Sequence, residues 1–144
     1  NWKGMTVRPE ALARGNLHDD RHPEGNFVTI GPEDDRPRIF QAPEHIFNHV
    51  CVSKCGRYFV CDSYRNGMGR PIELVIGNLE TGRYRTIVSD CGAQGGGPAC
   101  SHPHAYLTAD NRYVIYNSDR YGLCHVHAAH VPPGFLEDLD RARG

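Results

Sequence analysis

The sequence predicts an all-β fold built from repeated units of short antiparallel strands, and three observations carry that prediction. The first is internal repetition. N-H-V-C-V-S-K-C-G-R-Y-F-V-C-D-S-Y-R-N-G and P-H-A-Y-L-T-A-D-N-R-Y-V-I-Y-N-S-D-R-Y-G align without a gap at a single offset, the separation of His49 from His104. The second is the residue at the turn, where Gly56 of the first copy meets Asn111 of the second. Gly and Asn best tolerate left-handed backbone, so each copy reads as strand, tight turn, strand. The third is the continuation of each copy: I-E-L-V-I and R-Y-R-T-I-V, parted by G-N-L-E-T-G, extend the first to four strands, and L-C-H-V-H-A-A gives the second a third. Four short antiparallel strands recurring every ~40 to 55 residues are the signature of a β-propeller blade. The chain holds about two and a half such four-stranded blades, against roughly 4 to 8 in a closed ring. It is therefore expected to be part of a larger propeller, or to close a ring by self-association.

Taken in order, residues 1–26 are polar and broken by Pro and Gly, and read as loop or as the remnant of a preceding blade. The chain begins Asn1-Trp2 with no initiator Met, which is read as a processed chain or a piece of a longer one. F-V-T-I and R-I-F-Q, on either side of G-P-E-D-D-R-P, form a hairpin that opens the blade region, 27–131. The tail, 132–144, carries helix-like spacing only at F-L-E-D-L-D-R-A-R, so one short C-terminal helix is expected there.

The 144 residues carry a formal net charge of -1, with 23% charged residues, and so offer no basic face for nucleic acid. No apolar run approaches the ~18 residues of a membrane span, and no signal-peptide pattern is present, so no membrane association is expected. Six cysteines form no C-x-x-C pair of the zinc-ribbon or redox type. Cys51, Cys61 and Cys124 lie in apolar runs and read as reduced core thiols in a cytoplasmic protein. The competing reading bridges Cys51 to Cys61, or Cys91 to Cys100, in an oxidising compartment.

Chemistry concentrates in S-H-P-H-A-Y. Residues two apart on a strand share a face, so His102 and His104 can reach one metal ion or one anion; taken alone, the pair reads first as a strand cap and a half-polar core residue. The repeat adds His49, equivalent to His104 and near the start of an innermost strand, where corresponding positions ring the propeller axis. Three converging imidazoles suit a divalent transition metal, Mn, Fe, Ni or Zn, with positions left for substrate. A second H-x-H, His125 and His127, falls on a third strand and reads as solvent-facing or structural. His18, His22 and His45 read as loop residues on the surface, with His45 near enough to His49 to line the same mouth. Arg65 and Arg120 follow the second strand of each copy, and either grips a substrate carboxylate bidentately or braces its own loop. Nucleophile-elbow, phosphate-loop and H-E-x-x-H patterns do not occur.

H-P-H, followed by a strand, a D-N turn, R-Y-V-I-Y-N-S-D-R and Y-G, resembles the metal-site blade of the oligogalacturonate lyases, a family related to TolB-like propellers. The preceding copy is similar to that family's pattern of a His opening a strand before a D-G-type turn. The resemblance covers about residues 27–136 and is clearest over 48–65 and 101–122. It implies a seven-bladed propeller holding a manganese-type ion through three histidines and one glutamine, the matching histidines here being His49, His102 and His104. The family's glutamine position is Ala99 in this chain, which leaves Gln94 on the Gly-rich loop as the additional ligand. The implied activity is that of a carbon–oxygen lyase, metal-dependent β-elimination on short uronic-acid oligomers, with a His or Lys base outside this chain and Arg65 or Arg120 on a carboxylate. The alternative is a non-catalytic propeller that binds a protein or glycan and whose histidines are structural.

Overall fold

The computed structural model describes residues 26–64, 71–93 and 102–141. Among them, nine strands and one helix form three antiparallel sheets in which neighbours in space are neighbours in sequence. The first sheet pairs β1 (Phe27–Thr29) with β2 (Arg38–Phe40), the expected hairpin. The second orders β3 (Phe47–Val52), β4 (Tyr58–Ser63), β5 (Glu73–Asn78) and β6 (Tyr84–Val88). The third orders β7 (Tyr106–Leu107), β8 (Tyr113–Ser118) and β9 (His125–His130). Only the middle sheet has the four strands expected of a complete unit, and no sheet among the described residues closes on itself.

The repeat is visible in backbone detail. β4 and β8 start and end at positions related by the predicted offset, and Gly56 and Asn111 both adopt left-handed backbone, with φ of 75° and 57°. Ser53 N–H donates to the Tyr58 carbonyl at 2.8 Å, and Thr108 N–H to the Tyr113 carbonyl at 2.9 Å. Gly56 N–H donates to the Ser53 carbonyl at 2.9 Å, and Asn111 N–H to the Thr108 carbonyl at 2.8 Å. One local sequence rule thus builds the same turn twice.

Every residue of β4 and β5 is buried, which explains why F-V-C and L-V-I read as continuous apolar runs. The two faces meet different partners. Phe59 and Cys61 pack with Phe27, Phe40 and Ala42 of the first hairpin and its loop. Val60, Leu74 and Ile76 pack with Leu107 and Val114 of the third sheet and with Phe135 and Leu139. The last two belong to α1 (Phe135–Asp140), shorter than the expected stretch, which docks on the middle sheet. Tyr58 Oη and Asn78 Nδ2 both donate to Asp140 Oδ1 at 2.8 Å, and Thr81 Oγ1 donates to the Leu139 carbonyl at 2.7 Å.

Cys51, Cys55, Cys61, Cys91 and Cys124 are free thiols, so a Cys51–Cys61 bridge is not formed; Cys100 lies outside the described residues. Cys61 is buried as expected, but Cys124 is exposed, because it lies in the connection ahead of β9 and not on the strand. No helix among the described residues is long and apolar enough to cross a membrane. Of the expected leading segment 1–26, only Asn26 is described; its Nδ2 donates to the Ala42 and His45 carbonyls at 2.8 and 2.7 Å.

Gly77 marks the tightest approach in this core: a Cβ there would lie 2.2 Å from Phe59 Cε1 and 3.1 Å from Phe40 Cζ. Phe59 is held edge-on by Phe27 and Phe40 and has nowhere to move. Gly77→Ala is therefore expected to cost about 1–3 kcal/mol in urea unfolding. Unchanged stability would mean that the aromatic cluster yields.

Candidate functional site

The three histidines singled out by the repeat come together. Ring centroids lie 4.0 Å apart for His49 and His104, 5.2 Å for His49 and His102, and 5.8 Å for His102 and His104. His49 stands on β3, the other two just ahead of β7, so the cluster bridges the second and third sheets. The H-P-H segment is not itself a strand, contrary to expectation. His102 and His104 nevertheless face one side, because Pro103 between them is fully buried and its carbonyl accepts from Asn117 N–H at 2.8 Å. His104 has φ 42°, a conformation uncommon for a residue with a side chain, and its ring is exposed.

A β-bulge sets His49. Phe47 pairs with Ser63 and Val50 with Cys61, so Asn48 and His49 together oppose Asp62. An extra residue frees one backbone N–H from the ladder and redirects a side chain. Here His49 N–H donates to Asp62 Oδ1 at 2.6 Å, and His49 Nδ1 lies 2.9 Å from Asp62 Oδ2. The side chain of Asp62 is 0% exposed. A buried carboxylate is tolerated only when hydrogen-bonded, and the bulge supplies its donors. The hydroxyl of Tyr64, two residues on, stands 3.4 Å from His102 Nδ1. Burial and the Asp62 charge push the Tyr64 phenol far up, so it stays protonated.

The donor chemistry fits a divalent transition ion: three imidazoles, two of them engaged at Nδ1 with Nε2 left over, and no thiol among them. Two imidazoles on one tetrahedral ion keep their centroids roughly 5 Å apart. Two of the three spacings lie near that value, while His49 and His104 are closer at 4.0 Å. Accordingly, among the described residues no three His, Cys, Asp or Glu groups are already drawn in to hold an ion.

Arg120 Nη2 donates to the Asp90 carbonyl and lies 3.7 Å from Asp90 Oδ2, so in this conformation it braces the 90–92 loop. Arg65, Gln94 and Ala99 lie outside the described residues. His45 differs from the expected surface residue: it is 3% exposed, bonded through Nδ1 to Ser63 Oγ at 2.9 Å and stacked on Phe47. Ser63 alternates with Asp62 along β4, which puts His45 on the opposite face from the cluster. His125 is exposed, and His127 is stacked between Tyr116 and Tyr121 at 5.6 and 5.9 Å, in keeping with a structural role. Asp62 and Tyr64 escaped the sequence reading, though a lone acid inside Y-F-V-C-D-S, spaced two from Val60, was the signal.

No protein-family model matches the chain, and a comparison with curated proteins finds no match. Among solved structures, TolB from Acinetobacter baumannii is similar, with 18% identity over 75% of this chain and 27% of that one, at a TM-score of 0.46. An oligogalacturonate lyase in complex with manganese is similar with 16% identity over 83% of this chain and 44% of that one, at a TM-score of 0.37. The chain thus spans less than half the length of either protein.

The Asp62 hydrogen bond holds the His49 imidazole above its ordinary value of 6.5, against burial, which pulls it down. A raised folded-state value contributes stability that is fully present below the unfolded value and is lost as pH rises through the folded one. His104 is shifted the other way, first by burial and then by the His49 charge. The wild-type urea midpoint should therefore fall between about pH 6 and about pH 8 by more than that of His49→Gln. Equal falls in both proteins would contradict the pairing.

Proposed function

We propose that the chain forms part of a β-propeller in which His49, His102 and His104 hold one divalent transition ion, manganese by resemblance, and that the complete protein cleaves short uronic-acid oligomers by β-elimination. The observation that supports this most is the convergence of three imidazoles from two successive units, two of them repeat-equivalent. Strands innermost in a propeller bring equivalent positions together around the axis. The middle sheet, with its four strands, is read as one full blade, flanked by two partial ones.

A bound divalent ion supplies a Lewis acid that draws charge from a sugar carboxylate and so acidifies the carbon beside it. The chain's own residues prepare and surround that position. His49 and His102, with Nδ1 engaged inside the protein, turn Nε2 outward, and the exposed His104 completes the set on the solvent side. Arg65 and Arg120 are the candidates for holding a neighbouring carboxylate, Arg120 only after releasing Asp90. Gln94 is the candidate additional ligand. The base that removes the proton is assigned to blades outside this chain, contributed by a longer chain or by further copies.

A second reading, a non-catalytic propeller that binds a protein or glycan, draws support from the engagement of Arg120 with its own loop. Elemental analysis and metal titration separate the two. The lyase reading expects one equivalent of Mn²⁺ or Zn²⁺ per chain, with affinity lowered at least about tenfold in His49→Ala and in His104→Ala. It also expects new ultraviolet absorbance from the unsaturated product when oligogalacturonate is added to the loaded complete protein. Absence of stoichiometric metal would remove the lyase reading, and metal without product would move the substrate elsewhere.

A further inference from the structure

We infer that Asp62 acts as a positioning residue that fixes the imidazole tautomer of His49, so that its Nε2 lone pair faces the space shared with His102 and His104. The inference rests on reading the cluster as a cation site, and it concerns how this chain's own side chains prepare that site.

Protons and lone pairs at the cluster can be counted. An ionised carboxylate only accepts. His49 N–H occupies Asp62 Oδ1 at 2.6 Å, and His49 Nδ1 faces Oδ2 at 2.9 Å, so Nδ1 carries the proton and Nε2 keeps its lone pair. That ring is left with Nε2 deprotonated, the form in which imidazole binds a metal ion. His102 Nδ1 stands 3.4 Å from the Tyr64 hydroxyl, a contact in which either atom can donate.

The repeat shows that this device is not generic to the turn-and-strand unit. The position equivalent to Asp62 in the second copy is Asn117, whose Nδ2 donates to the His102 carbonyl at 3.4 Å. One copy therefore carries a buried charge where the other carries an amide. A buried carboxylate brings a desolvation cost that a structural turn does not require, since Asn117 serves there without it.

Asp62→Asn makes a specific forecast. An amide has a single acceptor oxygen, and the His49 backbone N–H in the bulge claims it. The amide NH₂ then faces His49 Nδ1 and is satisfied only by a lone pair there, which moves the ring proton to Nε2. Tyr64→Phe leaves the two His49 contacts intact and serves as the control.

The test is ¹⁵N NMR of the imidazoles in the metal-free protein, at a pH where the ¹⁵N shifts themselves report His49 neutral, paired with Co²⁺ titration as the probe of cation binding. Wild type is expected to show His49 protonated at Nδ1. Asp62→Asn should switch His49 to Nε2–H and weaken Co²⁺ at least about tenfold. Tyr64→Phe should leave the His49 tautomer as it is. An Nε2–H form of His49 in wild type overturns the inference, as does an unswitched His49 in Asp62→Asn. Should Asp62→Asn fail to fold, the wild-type His49 tautomer decides. Wild type with the Nδ1–H tautomer at His49 but no Co²⁺ binding upholds the inference about Asp62 and defeats the cation-site reading instead.

Discussion

The structure depends on the burial of β4 and β5 on both faces at once. Two strands cannot be apolar on each side and remain in water, so the middle sheet requires a layer on either hand. The first hairpin covers the Phe59 and Cys61 face; the third sheet and α1 cover the Val60, Leu74 and Ile76 face. Each fully buried side chain of this kind contributes about 1.5–3 kcal/mol relative to exposure. Among the described residues nothing covers Val126 on β9, which is 73% exposed.

Into this double-sided burial the sequence places one carboxylate, Asp62, and the local structure bends to accommodate it. The bulge at Asn48 and His49 frees a backbone donor, turns the imidazole toward the acid and leaves the far nitrogen pointing away. The third sheet packs against the same face and brings H-P-H alongside, with Pro103 buried as the anchor. The stacking that stabilises the core therefore also assembles the cluster. Fold and site share one cause, the seating of β7 and β8 against β3 and β4.

The repeat was legible because its signals are local. Gly56 and Asn111 mark left-handed turns, and the strands on either side follow from short-range pattern, so β4 and β8 fall where the sequence put them. The convergence of His49, His102 and His104 was also legible, through equivalence rather than through strand alternation, which fails at a segment that is not a strand. What local pattern did not carry was partnership over distance. His45 is buried because Ser63 and Phe47 receive it, and Asp62 matters because a bulge aims His49 at it. Cys124 was misplaced because the strand within L-C-H-V-H-A-A begins only at His125, which leaves the thiol in the exposed connection before it.

The central claim is that side chains from two stacked sheets form a single cation site. X-ray absorption at the zinc edge of the protein loaded with one equivalent of Zn²⁺ addresses it directly. The predicted result is three imidazole nitrogens at about 2.0–2.1 Å with the outer-shell scattering of histidine rings. A sulfur shell at about 2.3 Å, pointing to the exposed thiols of Cys55 and Cys124, or a shell of oxygen alone, would contradict it.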